Sequence, residues 1–180
     1  MRRLSAKIVA RYWLPAVAML VVIRLESTAV CSGGNTFLLL HRILQFLHLH
    51  MNPISLAILN FCLRKAGHLT GYGLLGLFTF RAIQGTSLCW RYGFPWWRNA
   101  EEAVAMARQG WHLLWKLRWA VTGVAVAGLT GLCDELHQMT LPGRDGTMRD
   151  VLIDTCGAIA LQIVVFCYYR LRYRGTSDPS

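Results

Sequence analysis

Charged residues are scarce in this sequence, and acidic residues are the scarcest. Only 16% of the 180 residues are charged, with 9 Asp and Glu against 19 Lys and Arg, while 54% are hydrophobic. Soluble domains usually carry about 25% charged residues, so the net charge of +10 does not indicate a basic nucleic-acid-binding protein. The mean hydropathy of +0.37 also argues against a disordered chain. The basic residues must therefore lie between apolar segments.

The sequence also lacks the spacings that mark common sites. Its six cysteines form no CxxC or Cys/His finger pattern, which argues against a structural zinc module. It has no GxSxG motif, P-loop or dinucleotide-binding fingerprint, so soluble hydrolase and NTPase functions have no support. A metal site built from His68, Asp134, Glu135, His137 and Asp154 is chemically feasible, but no HExxH pattern is present. We therefore predict no metal and no cofactor.

Four long apolar stretches approach the roughly 20 residues that a bilayer core requires. They lie at about 8–25, 64–82, 113–133 and 151–169. We expect the first to be retained as a span, although a cleaved signal peptide is an alternative. The sequence thus predicts an all-α, polytopic membrane bundle of four transmembrane helices. It forms a single domain over 1–175, followed by a short flexible tail at 176–180.

The distribution of basic residues sets the predicted orientation of the spans. Thirteen Lys and Arg lie before the first span, between the second and third, and after the fourth, whereas six lie in the other two connecting segments. Because basic loops favour the cytoplasmic side, both termini and the 81–118 loop are predicted to be cytoplasmic. Between spans one and two, residues 37–50 repeat apolar residues at helical spacing, which predicts an amphipathic helix on the outer surface, ended by Asn52-Pro53.

Polar residues gather at the outward ends of all four spans. Charged groups near membrane depth are costly and require a partner or a function. Helical spacing places positions 65, 68 and 72 on one face, positions 134, 137 and 138 on another, and positions 150 and 154 on a third. We therefore predict one polar cluster, which consists of Glu26, Lys65, His68, Tyr72, Asp134, Glu135, His137, Gln138, Arg144, Asp150 and Asp154.

The predicted polar cluster suits acid–base chemistry and anion binding. Glu135 or His68 is the candidate general base, with Asp134 orienting the histidine. Lys65 and Arg144 are candidates to hold a phosphate or carboxylate head, and the other members are candidate ligand contacts. The tail of an amphiphilic ligand is expected between spans two, three and four. A network of ion pairs that only fixes helix packing explains the same charges, and this alternative stays open.

Four segments, in this order, resemble motifs of the VanZ-like family of bacterial membrane proteins. They are KAGHLTGY at 65–72, DELHQ at 134–138, PGRDGT at 142–147 and DVLID at 150–154, and the similarity runs from about 26 to 162. The resemblance implies a short multi-span protein of the bacterial inner membrane, with a role in teicoplanin-type tolerance. Two positions depart from the family pattern: Gly71 stands where Glu is common, and Thr147 where Ser is common.

The polar cluster and this resemblance together predict an envelope protein that binds or modifies an amphiphilic anionic ligand. Such a ligand is a lipid-linked precursor or a lipoglycopeptide, with no nucleic-acid partner. A homo-oligomer and a disulfide between Cys31 and Cys62 are left open. So is catalysis, because sequence does not show the perturbed proton affinities that catalysis requires. The alternative is a non-catalytic structural or assembly protein, and a transporter is a weaker option.

Overall fold

A computed structural model of the chain describes residues 6–92, 110–141 and 146–173. Within these ranges the chain is helical and contains no strand, which confirms the all-α prediction. The predicted tail at 176–180 and Arg144 lie outside the described residues. The described part of the chain contains five α-helices, α1 (Ala6–Glu26), α2 (Gly33–Phe46), α3 (Pro53–Tyr92), α4 (Leu117–Gln138) and α5 (Met148–Arg172), with short 3₁₀ turns at Ala29–Cys31 and Trp111–Leu113.

Helix α5 is long and apolar enough to cross a membrane, by length and composition. It has 25 residues, and its most apolar window has a mean hydropathy of 2.0. Only 22% of that window is buried inside the protein, so most of its apolar surface faces outward. The other three predicted spans coincide with α1, part of α3 and α4, but among the described residues no second helix meets the same test. The four-span arrangement therefore stays a prediction.

Helix α3 is the centre of the fold and packs against each of the other four helices. Its 40 residues extend about 60 Å at the usual rise of an α-helix. The predicted span at 64–82 is part of this helix, which extends beyond it at both ends because no proline follows Pro53 in this segment. Asn52-Pro53 begins α3, since the Asn52 Oδ1 accepts a hydrogen bond of 2.7 Å from the Ser55 N–H.

Helix α2 confirms the predicted helix between the first two spans, but its bounds lie four residues earlier than expected. It starts after Ser32, whose hydroxyl accepts from the Asn35 N–H at 3.5 Å. It ends where His48 takes a positive φ of 55° and the Leu49 N–H bonds the Leu44 carbonyl at 2.9 Å. That pattern is a Schellman-type helix end, which stops the helix before the predicted Asn52-Pro53 boundary.

The helices alternate in direction around α3. Tyr12 of α1 lies against Gly85 while Met19 lies against Gly71, so α1 runs antiparallel to α3. Helix α4 is also antiparallel to α3, whereas α5 is parallel, with contacts that run from Lys65 and Asp150 at one end to Gln84 and Tyr169 at the other. The end of α1, the end of α4 and the start of α5 therefore lie at the same level of the bundle.

Small residues allow α3, α4 and α5 to pack backbone to backbone. A methyl group added at Gly76 would lie 3.1 Å from the Ala158 Cβ, and one at Gly123 would lie 2.6 Å from the Gly76 carbonyl oxygen. A methyl group at Gly157 would overlap the Leu69 carbonyl oxygen. Glycine at these positions lets the helix backbones approach closely, as membrane helices commonly do.

Two other glycines of α3 do not serve this purpose. Nothing lies within 4 Å of a methyl group added at Gly67. A methyl group at Gly71 would meet only the Met19 side chain, at an ordinary contact distance of 3.5 Å. At Gly73, by contrast, an added methyl group would lie 3.1 Å from the Gly157 carbonyl oxygen.

Gly157→Ala should destabilise the protein, because the methyl group has to displace the backbone of α3 at Leu69. Overpacking of this kind costs about 1–3 kcal/mol, which we expect as a fall of several degrees in Tm in detergent. Gly67→Ala is the matched control, a helical glycine with open space around it. It should keep or raise the Tm, because alanine favours the helix by about 0.5–1 kcal/mol. Equal melting temperatures for the two variants would contradict the packing described above.

Candidate functional site

The polar residues predicted to converge do meet at one end of the bundle. The end of α1, the first half of α3, the end of α4 and the first two turns of α5 bring nine of them together. Arg144 lies outside the described residues. His137 is half-buried, and its Nδ1 has no hydrogen-bond partner in the described parts of the chain. The nine that are brought together are Glu26, Lys65, His68, Tyr72, Asp134, Glu135, Gln138, Asp150 and Asp154.

Asp134 links α1 to α4 inside the protein. The Ser27 hydroxyl donates to the Asp134 Oδ1, and the Gln138 amide donates to its Oδ2 at 2.7 Å. All three side chains are buried. Both carboxylate oxygens of Asp134 therefore have partners, and this residue contributes mainly to the joining of the two helices.

Asp154, and not Asp134, is the carboxylate beside His68. The His68 Nδ1 lies 3.3 Å from the Asp154 Oδ1, and Asp154 is wholly buried. The imidazole also stacks on Tyr72, with ring centroids 6.0 Å apart. This corrects the role predicted for Asp134, whose carboxylate is held by α1 and its own helix. Asp154 reaches His68 because α3 and α5 pack closely at Gly157, about one turn further along α5.

Glu135 is held at the start of α5. It is 1% exposed, and its Oε2 accepts a 2.7 Å hydrogen bond from the backbone N–H of Thr147. Thr147 caps the helix, since its hydroxyl accepts from the Asp150 N–H at 3.3 Å. A helix N-terminus favours a negative charge, so this position suits a carboxylate. Threonine here keeps the cap that the hydroxyl of serine provides.

Lys65 and Asp150 form an ion pair between α3 and the first turn of α5. The two side chains are 29% and 15% exposed, so the pair is only partly open to solvent. The sequence analysis proposed that Lys65 holds an anionic head group, but its charge is already matched by Asp150. An anion at this site therefore requires another source of positive charge.

His68, Glu135 and Asp154 form a compact group, which we call the site triad. Each residue offers one possible ligand atom, and these atoms all lie within 4.8 Å of one another. The three side chains come from α3, α4 and α5, so their sequence spacing does not reveal the group. Glu135 and Asp154 are buried, and His68 is partly exposed.

A cavity of about 330 Å³ borders the site triad at His68. It lies between α2 and α3 beside the end of α1, and the Nη1 of Arg64 donates to the Cys31 carbonyl oxygen at 3.1 Å along its edge. The sequence analysis did not select Arg64 as a site residue. Helix α2 contributes mainly apolar side chains to its wall, whereas most of the polar ones come from α3 and the end of α1. The wall includes Leu39, Leu40 and Ile43 of α2, Asn60, Leu63, Arg64 and His68 of α3, and Glu26 of α1.

This cavity lies in a different place from the one expected for a ligand tail. A groove does exist between α4 and α5, with a volume of about 490 Å³ and a lining from Trp115 to Phe166 that is almost entirely apolar. No member of the predicted polar cluster lines that groove. Of these two spaces, the cavity between α2 and α3 is the one in contact with the polar cluster, through Glu26 and His68.

Most of the chain matches the model of a known protein family. A family model described as VanZ/LLP1 covers residues 12–170, which include every described residue of the polar cluster. No curated protein and no solved structure matches the chain.

Ser27→Ala should destabilise the protein, because it leaves the buried Asp134 Oδ1 without its donor. An unpaired buried acceptor costs about 1–3 kcal/mol, which thermal unfolding in detergent measures as a lower Tm. Thr122→Ala is the matched control, since its exposed hydroxyl bonds the Arg118 carbonyl of its own helix, at 2.7 Å. It should leave the Tm unchanged. A Tm that is equally unaffected by Ser27→Ala would refute the structural role of Asp134.

Proposed function

The chain belongs to the VanZ/LLP1 family, and on this basis we propose that it is a multi-span protein of the bacterial cell envelope that binds an amphiphilic anionic ligand. The binding place is the cavity between α2 and α3. The ligand is a lipid-linked envelope precursor or a lipoglycopeptide, and its capture or modification confers tolerance of the teicoplanin type.

The two-sided lining of the cavity is the observation that carries this proposal. Leu40, Ile43 and Leu63 provide an apolar wall for an acyl or prenyl chain, while Arg64 and His68 lie at the polar end. The volume of about 330 Å³ is within the range of small-ligand sites. An amphiphile is the class of ligand whose two ends match these two walls.

Arg64 is the cation best placed to face the anionic head. Its guanidinium lies on the cavity wall, and the planar donor fork of arginine matches carboxylates and phosphates. Arg144 stays a predicted contact, since it lies outside the described residues.

The direction of the helices supports the four-span topology. Helices α1 and α4 run opposite to α3 and α5, as successive crossings of one membrane require. The exposed apolar side chains of α2, such as Leu38, Leu39 and Phe46, suit a helix in contact with the outer leaflet. With both termini cytoplasmic, the polar cluster faces outward, and a lipid reaches the cavity from that leaflet.

The same arrangement accommodates a reaction on the bound ligand. His68 is oriented by Asp154 through its Nδ1, so its Nε2 is the nitrogen that can accept a proton from an attacking water. Glu135 is the second candidate base. Hydrolysis or transfer at a lipid phosphate is the reaction class that these groups suit.

The alternative is a structural or assembly protein, and the contacts between helices favour it. Ser27 with Asp134, Lys65 with Asp150, and His68 with Asp154 each join two different helices. Under this alternative the polar cluster holds the bundle together, and the purified protein binds no amphiphile.

The orientation is tested with single cysteines near the two ends of α5, in a version without the six native cysteines. Met148 and Leu171 are 59% and 71% exposed and about 35 Å apart along the helix. A membrane-impermeant thiol reagent should label Met148→Cys in intact cells and Leu171→Cys only after lysis. Neither substitution changes the charge that sets the orientation. The opposite pattern would invert the topology, and labelling of both before lysis would show that α5 does not cross.

Leu40→Trp should weaken binding of the ligand, because the indole fills the apolar side of the cavity. Leu38→Trp, at an exposed position of the same helix outside the cavity lining, is the matched control. Native mass spectrometry with a polyprenyl phosphate should show an affinity at least about tenfold lower for Leu40→Trp, equivalent to about 1.4 kcal/mol. In cells, teicoplanin tolerance should fall with it and persist in Leu38→Trp. No binding to the unmodified protein would favour the structural alternative.

A further inference from the structure

We propose that the site triad of His68, Glu135 and Asp154 binds a divalent transition-metal ion. Each of the three residues places a possible ligand atom within 4.8 Å of the others. Metal–ligand bonds of about 2.0–2.2 Å set ligands on opposite sides of an ion about 4 Å apart. A small rotation of the partly exposed His68 side chain therefore suffices to complete the coordination.

The lone carboxylate oxygens of the site triad are the second observation. Glu135 is 1% exposed and Asp154 is 0% exposed. The Glu135 Oε1 and the Asp154 Oδ2 are both buried and have no hydrogen-bond partner within the described residues. The other oxygen of each residue is used, by the Thr147 N–H and by His68. Buried carboxylate oxygens without partners are unfavourable, and a bound cation satisfies both at once.

The local charge balance also favours a bound cation. Asp134, Glu135 and Asp154 are buried close together. Lys65 is paired with Asp150 and His68 with Asp154, and neither of these two ion pairs involves Asp134 or Glu135. A divalent ion supplies the two positive charges that the buried carboxylates lack.

The ligand set indicates the kind of metal. One imidazole nitrogen and two carboxylate oxygens suit Zn²⁺, Mn²⁺ or Fe²⁺, whereas Ca²⁺ and Mg²⁺ prefer oxygen ligands alone. Three protein ligands also leave at least one coordination position open. His68 lines the cavity between α2 and α3, so the open position is accessible from there.

The ion would also give the cavity a positive charge for an anionic head group, which Lys65 does not provide. This last step rests on the proposed function, whereas the metal site itself does not. Metal binding is measured without any amphiphile, so the two ideas fail separately. Leu40→Trp should lose the polyprenyl phosphate and keep the metal.

The test uses the full chain in detergent, stripped with a chelator and then loaded separately with Zn²⁺ and Mn²⁺. After dialysis, elemental mass spectrometry should find about one ion of at least one of these metals per chain, and the loaded protein should have a higher Tm. Glu135→Gln and Asp154→Asn keep the side-chain shapes and should lose the ion. Glu26→Gln is the matched control, since Glu26 lines the same cavity but lies outside the site triad, and it should keep the ion.

A Co²⁺ titration of the unmodified protein keeps the proposal testable if either triad variant fails to fold. Saturation at about one ion, with the visible absorption of a low-coordinate nitrogen and oxygen site, is the expected result. The proposal is overturned if the chelated protein binds neither Zn²⁺ nor Mn²⁺ and shows no Co²⁺ band. Full metal content in a folded Asp154→Asn variant would also overturn it.

Discussion

The backbone contact between α3 and α5 at Gly157 is the constraint on which the site depends. Because Gly157 has no side chain, the Leu69 carbonyl packs directly against it. One turn from Gly157 toward the start of α5, Asp154 contacts His68. One turn earlier again, Asp150 pairs with Lys65. The short side chains of aspartate reach α3 only because the two helix axes lie this close together. The site is thus a product of helix packing more than of any single polar residue.

The polar cluster divides into two parts with different properties. Asp134 with Ser27 and Gln138, and Lys65 with Asp150, have their hydrogen bonds or charges met, and they join the end of α1 to α4 and α3 to α5. Glu135 and Asp154 each keep one buried oxygen without a partner among the described residues. Groups of the first kind stabilise a fold, whereas groups of the second kind reduce its stability unless they bind something. The structural alternative accounts for the first part and leaves the second unexplained.

The length of α3 links the site to the cavity. Its first three turns extend beyond the polar cluster and provide the surface on which α2 packs, through contacts such as the 3.2 Å hydrogen bond from the Asn60 amide to the Gly33 carbonyl. The cavity lies in the angle between these two helices and opens beside His68. An amphipathic helix, a long central helix and the end of α1 thereby place apolar and polar walls next to each other. A helix confined to the predicted 64–82 span would lack Asn60 and Leu63, which line the cavity before Arg64.

The sequence by itself determined the all-α class and the approximate helix positions. It also determined which polar residues lie at the ends of the apolar segments. These properties are local, since helical periodicity and the polarity of neighbouring residues decide them. Only the tertiary structure decided the pairings: Asp154 instead of Asp134 beside His68, Asp150 on Lys65, the Thr147 amide on Glu135, and the cavity beside Arg64. Such pairings depend on the rotation and axial offset of each helix against its neighbours. Those are set by close contacts such as Gly157 on Leu69, which the spacing of residues within one helix does not encode.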